Sequence, residues 1–395
     1  MKIGIVSSYS DLCGNATYTK ALQKEFEREG HTVEICDLKS IYFNTSDKAL
    51  QKKGDELITE FCKKIHSLDY INLQIEQVLY GRTLKMTLRH ISQLIDACKD
   101  SRFSLTFHSI PHSLPKRQKR GLKKIIYKIK GKFRKKLTWE SVIDECIKSA
   151  AKKNGIIIVH NKRERQKILS KFPNVNVKDH PLALYDLDTI AEIKENFSKK
   201  DFTNRYQINS DKKYISCFGF MNENKSFETA IMALTLLPEE YCLCLWGGQH
   251  PLTFSWFPNG SEYTKRLLEI VIENKLENRV FFMGAQASDD DMLQAMLFSD
   301  YVVLPYLEVG QNASAIASIA VSIAENAFLS RNDCFAELKR YSGEAFFSFD
   351  MGNYMELAHK IITLPNKQYV EKNRKKFFEN YNVKTNCGMY LGKGV

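Results

Sequence analysis

Short apolar strands alternate with amphipathic helices from the second residue onward, and the alternation starts afresh about half-way along the chain. Lys2–Ser7 reads as a strand, Ser8 to Gly14 as a turn-rich loop, and residues 16–29 carry helical spacing through Leu22 and Phe26. Gly30 ends that helix as a C-cap does, and residues 32–36 form the next strand. Further strands are predicted at 70–74, 104–108 and 155–160, with helices at 83–100 and 139–152. The rhythm restarts with strands at 213–218, 241–246, 279–283 and 301–304, separated by helices at 226–236, 263–274 and 289–299. Strands that alternate with helices belong to a parallel sheet covered on both faces. Two such units in tandem predict an α/β chain of two Rossmann-like, doubly wound parallel-sheet domains facing a cleft, with ligands outside the carboxyl ends of the strands. The join is expected in the polar stretch around residues 184–209.

A chain of 395 residues has material for two cores, and 44% hydrophobic with 26% charged residues is the balance of a globular protein. No stretch reaches the roughly 18 consecutive apolar residues of a spanning helix. The N-terminus turns polar too soon for a signal peptide and reads as the first strand. The ten cysteines are scattered with no C-x-x-C pair, which argues against a zinc site or disulfide framework and for a reducing, cytoplasmic compartment. Charge is asymmetric. Residues 1–185 hold 36 Lys+Arg against 19 Asp+Glu, the remainder 22 against 27. The first half therefore seeks an anionic partner.

The loop Ser8 to Thr17 contains Gly14 and Asn15 and joins a strand to a helix, where backbone N–H groups and the helix N-terminus can approach a phosphate or sugar. It is neither G-x-G-x-x-G nor a Walker loop. Taken by itself it is as well read as a plain turn. Taken by itself, too, Lys225 is a solvated lysine, and Gly310–Ser314 a helix start leading into an Ala/Ser-rich helix at 313–327.

Taken together, the phrases form a pattern. The loop with Tyr18 and Arg28-Glu29-Gly30-His31-Thr32-Val33 resembles the opening of retaining GT-B glycosyltransferases of family four (glycosyltransferases group 1). Leu73-Gln74-Ile75-Glu76, Leu105-Thr106-Phe107-His108-Ser109, Ile156 to Asn161 and Asp179-His180-Pro181 are similar to family segments in the same order. So are Phe218-Gly219-Phe220 with Lys225-Ser226, Trp246-Gly247-Gly248, Phe282-Met283-Gly284, Val303 to Tyr306, and Leu307 to Ser314. The resemblance covers roughly residues 1–345. It implies an acceptor-binding domain at 1–185, a nucleotide-sugar-binding domain at 186–365, and a tail at 366–395 that crosses back to the first domain.

The same resemblance implies the chemistry. Glu308 accepts hydrogen bonds from the sugar, and His108 lies near the reacting centre. Glu76 is a weaker candidate for holding or deprotonating the acceptor hydroxyl. Gly14, Asn15, Lys225, Gly248, Gly284, Gly310, Gln311, Asn312, Ala313 and Ser314 line the donor. A nucleoside diphosphate concentrates negative charge, which asks for a cation and aligned N–H donors, as Lys225 and the 310–314 run would supply. Two departures stand out. Ile316 occupies the place of the second acid of the family's E-x7-E element, and Phe220 and Met221 stand where an Arg is usual. No metal is expected: Asp289-Asp290-Asp291 reads as the acidic first turn of a helix capped by Ser288.

Residues 116–136 contain twelve Lys/Arg and no acid, with Leu122, Ile125, Ile126, Ile129 and Phe133 at helical steps. Lys119, Arg120, Lys123, Lys124, Ile125, Ile129 and Phe133 are the expected contacts to an anionic membrane surface. A packed, solvated basic helix is the second reading. Nucleic acid ranks last, since no stacking platform accompanies the charge.

The expected activity is transfer of a hexose-type sugar, with retention, from a nucleoside-diphosphate sugar to a glycan or lipid-linked acceptor at the inner membrane face, in bacterial surface glycan synthesis. The rivals are a membrane scaffold of the same fold with degraded catalysis, and a sugar-nucleotide epimerase or hydrolase.

Overall fold

The computed structural model describes residues 1–392 apart from Leu12, 112–136, 249–261, 285–287 and Val309. The chain divides into two units. One comprises Met1–His180 with the C-terminal segment from Cys387, and the other Pro181–Asn386.

In the first unit, β1 (Lys2–Ser7), β2 (Thr32–Asp37), β3 (Tyr70–Ile75), β4 (Phe103–Phe107), β5 (Ile156–Val159) and β6 (Val177–Asp179) form one sheet in the order β2-β1-β3-β4-β5-β6. All neighbours are parallel. Every residue of β3 is buried, as a strand covered on both faces requires. The order reverses between β1 and β3. The helix Gly14–Arg28 follows β1 and buries Tyr18, Leu22 and Phe26. Gly30 then turns the chain at φ +80°, a backbone that a side chain disfavours.

In the second unit, β7 (Lys213–Phe218), β8 (Tyr241–Trp246), β9 (Val280–Gly284), β10 (Tyr301–Leu304), β11 (Ala327–Ser330) and β12 (Phe347–Phe349) are again all parallel, ordered β12-β11-β10-β7-β8-β9. This is a doubly wound order in which the strands run outward in both directions from a central pair, with the switch point between β7 and β10.

Several features differ from expectation, among them the helix Lys48–Ile65 between β2 and β3, which the spacing did not predict. The polar stretch at 184–209 contains two helices, Leu187–Asn196 and Lys199–Tyr206, each held at its start by a side-chain cap from Asp186 and Ser198. The Ala/Ser-rich helix is confined to Ala315–Ile323, and Ala327 already begins β11. The edge strands β6 and β12 have only three residues, too short for a period to register. The residues from 366 onward form helices Lys367–Asn380 and Val383–Tyr390, and the boundary between units falls inside the latter. Among the described residues no helix is long and apolar enough to cross a membrane. The proposed membrane contacts, Lys119 to Phe133, lie outside the described residues.

Candidate functional site

The carboxyl edge of the second sheet is built for close approach. Gly219, Gly247 and Gly284 end three neighbouring strands, and a Cβ on Gly247 would lie 1.7 Å from the carbonyl oxygen of Gly219. The Gly219 N–H donates to the Trp246 carbonyl at 3.0 Å and the Gly247 N–H to the Gly284 carbonyl at 2.8 Å, so β7, β8 and β9 stay joined to their tips. Gly248, next along, accepts from the Met221 N–H at 3.0 Å.

Beyond Gly219 the chain makes a single turn, Glu223–Lys225, and enters the helix Phe227–Leu234 through Ser226 in a left-handed conformation. The turn folds Lys225 back under the strand ends. Its ammonium sits 3.5 Å from the centroid of the Tyr306 ring, a cation–π geometry. Burial pushes its pKa down to about 8. No carboxylate pairs with it among the described residues. Tyr306 is itself pinned: its hydroxyl donates to the Phe218 carbonyl at 2.8 Å, and its carbonyl accepts from Ser330 at 2.6 Å.

Glu308 follows two residues later. One carboxylate oxygen accepts from the Gly310 N–H at 2.8 Å and the other from the Asp333 N–H, the first of the helix Asp333–Ser342, at 2.6 Å. A carboxylate at a helix N-terminus is electrostatically favoured. A small cavity beside it is lined by Asn224, Tyr306, Glu308, Gln311, Asn332 and Cys334. The Gln311 amide donates to the Ala313 carbonyl at 2.7 Å, Asn312 is buried, and Ser314 caps the next helix through the Ala317 N–H. Glu308 and Gln311 thus share a cavity with Tyr306 at the switch point, Lys225 stacks on that same Tyr306, and Gly310 adjoins through Glu308. Gly248 and Gly284 lie at the far strand ends of the same unit.

The first unit gathers a different set. His108 follows β4 and His160 follows β5; their rings lie 5.0 Å apart, with Nδ1 of His108 3.2 Å from Nε2 of His160. Tyr18 meets both edge-on, at 5.4 and 5.3 Å. Burial pushes His108 down to about 4 and His160 well below its ordinary value. Glu76, after β3, accepts both from the Ser109 hydroxyl, at 2.9 and 2.8 Å, and from the Gln77 N–H at 2.8 Å. Burial raises its pKa. Gly14 and Asn15 open the helix after β1, and Gly14 has open space around it. Asp37, at the end of β2, spends its carboxylate on the loop, accepting from the Tyr9 N–H at 2.8 Å and the Ser10 hydroxyl.

Ser288 caps the helix Asp289–Phe298 through the Asp291 N–H, and Asp291 pairs with Arg205 at 3.2 Å. Among the described residues no group of three His, Cys, Asp or Glu is placed to hold a metal ion.

No model of a known protein family matches the sequence, and no curated protein matches it. Solved structures do. Anabaena Alr3699/HepE in complex with UDP superposes with a TM-score of 0.65 at 14% identity, covering 100% of both chains. Sucrose-phosphate synthase from Thermosynechococcus elongatus gives 0.64 at 15%, covering 100% of this chain and 98% of that one. A glycosyltransferase from Rickettsia africae ESF-5 gives 0.68 at 15%, covering 99% and 97%. The chain has the GT-B fold.

Several groups of this GT-B chain lie outside the residues expected at the site. His160 ends the strand next to that of His108, and two adjacent parallel strands each closing on a histidine were a usable signal. Tyr306 as the floor under Lys225 was not, because nothing local says which way a turn folds its lysine. Glu164, wholly buried in the first turn of the helix Lys162–Lys171, has its pKa raised to about 8 by burial. Its Oε1 accepts from the Ile110 N–H at 3.2 Å and its Oε2 has no partner among the described residues.

Proposed function

We propose that the chain is a glycosyltransferase that takes a hexose-type sugar from a nucleoside-diphosphate sugar. The observation that carries this reading is Lys225: a partly buried cation without a carboxylate partner among the described residues, at the switch point of a doubly wound parallel sheet. Burying an ammonium without an anion is costly, and a diphosphate is the ligand whose charge would offset it. Gly284 and Gly310 have open space where a side chain would stand, which leaves room for phosphate and sugar oxygens. The solved complexes of the similarly folded HepE contain UDP and UDP-glucose, which supports a nucleotide-sugar donor here.

In this reading the second unit, with Lys225, Glu308 and residues 310–314, grips the donor without a metal, and the first unit, through His108 and Glu76, receives a glycan or lipid-linked acceptor. The sugar transfers with retention, in bacterial surface glycan synthesis. The composition of residues 116–136, twelve Lys/Arg and no acid, supports a location on the cytoplasmic membrane face. Co-sedimentation with phosphatidylglycerol vesicles tests that last element; binding equal to that on neutral vesicles would remove it.

The decisive experiment is a thermal-shift panel of UDP-, GDP- and ADP-sugars on the wild type, Lys225→Ala and Glu308→Ala. One donor family should stabilise the wild type and neither variant to the same degree. Full donor-induced stabilisation in both variants would refute the assignment.

A further inference from the structure

One continuous chain of side-chain hydrogen bonds runs through the first unit beneath His108. Tyr18 and Tyr390 share a hydroxyl contact at 3.1 Å, and Tyr390 meets the Thr106 hydroxyl at 3.0 Å. Asn72 reaches Thr106 and Ser104, each at 2.9 Å. Gln74 joins Asn72 to Nε2 of His108. Nδ1 of His108 faces Nε2 of His160 at 3.2 Å, and Nδ1 of His160 faces the His180 carbonyl at 3.4 Å. Tyr18, Asn72, Gln74, Thr106, His160 and Tyr390 are all at least 97% buried, so each must find its partners within the chain.

Counting protons gives this chain a direction. The His180 carbonyl can only accept, so Nδ1 of His160 carries a hydrogen. In a neutral ring Nε2 is then bare and accepts from Nδ1–H of His108. A neutral His108 accordingly has a bare Nε2, which must accept from the amide nitrogen of Gln74. The Gln74 oxygen then accepts from Asn72, whose oxygen accepts from Thr106 or Ser104. Thr106, donating inward, accepts from Tyr390, and Tyr390 from Tyr18. With the two amide planes turned the other way, as they stand in the structure, Gln74 offers its oxygen to Nε2 of His108. Both ends are then satisfied only if the two imidazoles hold three protons, a net positive charge. Burial opposes that charge. Tyr18 and, beyond β6, His180 are the titratable groups facing the rings; no carboxylate touches either imidazole among the described residues.

We propose that His160, anchored by the His180 carbonyl, is a positioning residue that fixes which nitrogen of His108 carries its proton, and that the relay from Tyr18 and Tyr390 through Gln74 is ordered in the same direction. The functional weight of this rests on His108 being a site residue, but the tautomer is measurable without any activity. Nitrogen-15 NMR of the full-length, histidine-labelled protein at pH 7.5 should show both rings neutral with hydrogen on Nδ1. Neutral His108 carrying hydrogen on Nε2 would overturn the inference outright.

Gln74→Glu, once ionised, offers only an acceptor, so it should place a second hydrogen on His108, at Nε2, and raise its pKa by about two units or more. His160→Phe removes the acceptor for Nδ1–H of His108 and should turn the single His108 tautomer into a mixture, with a shifted pH profile for transfer if the chain is the proposed enzyme. If His160→Phe lowers the melting temperature but leaves the His108 nitrogen shifts untouched, the second histidine is merely structural and the proposal fails. Failure of the donor thermal-shift panel with an intact tautomer result would instead remove the functional reading alone.

Discussion

The Lys225 ammonium lies 3.5 Å from the centre of the Tyr306 ring, and Tyr306 is held at its hydroxyl by the carbonyl of Phe218 and at its own backbone carbonyl by the hydroxyl of Ser330. The lysine is therefore held in a fixed place by a partner that attracts its charge without neutralising it. A cation–π contact of this kind contributes about 1–2 kcal/mol, enough to orient the ammonium and too little to remove its appetite for an anion.

The first prediction concerns pH. With the Lys225 pKa pushed down to about 8, the free protein loses this positive charge as pH rises through 8. Affinity for a nucleoside diphosphate should hold steady from about pH 6 to 7.5 and then fall by up to about tenfold per unit. Calorimetric titration of UDP into the wild type and Lys225→Arg checks this, since arginine stays charged throughout. Parallel losses above pH 8 in both proteins would assign the titration elsewhere.

Glu308 carries the second. Its two oxygens tie the turn at Gly310 to the first N–H of the helix Asp333–Ser342. Replacing it by alanine removes a capping interaction of about 1 kcal/mol and frees the turn. Urea unfolding of Glu308→Ala should show a loss of that size, with donor binding reduced by more than the stability loss explains. Glu308→Gln keeps an acceptor atom and should recover most of the stability.

Much of this was legible in the residues. The strand–helix rhythm exposed two parallel-sheet units, because a strand buried on both faces is a continuous apolar run bounded by turns. Phrases such as Phe218-Gly219-Phe220 located the strand ends where ligands bind in such sheets. The short edge strands β6 and β12 left no period to read. Asn72 and Gln74 are polar residues within an otherwise apolar β3, and only the neighbouring strand, which brings Thr106 and His108 alongside, turns them into a relay. Tyr390 lies 284 residues from Thr106 in sequence, and no local pattern pairs residues so far apart.

Gly247 supplies the third prediction. A methyl group there would sit 1.7 Å from the Gly219 carbonyl oxygen, which is backbone and cannot swing aside. Gly247→Ala must therefore push β7 and β8 apart at their tips. The expected cost is about 3 kcal/mol, read as a fall in the urea midpoint. Gly14→Ala, with open space around it, should leave stability nearly unchanged. Equal midpoints for the two variants would mean that the strand tips are looser than this packing requires.

Glu164 gives the fourth, and here the sign matters. Burial raises its folded pKa from 4.5 to about 8, so the folded chain keeps a proton that the unfolded chain gives up at lower pH. Below pH 4.5 both states are protonated and the stability contribution is intact. As pH rises from there towards 8 it is progressively lost, on the order of 1.4 kcal/mol for each unit between the two pKa values. Glu164→Gln retains an oxygen for the Ile110 N–H and has no proton to lose. The difference in urea midpoint between variant and wild type should therefore grow in favour of the variant from about pH 5 to pH 8 and then level off. Identical pH slopes in the two proteins would mean that water or another group reaches Oε2 and lets Glu164 ionise within the fold.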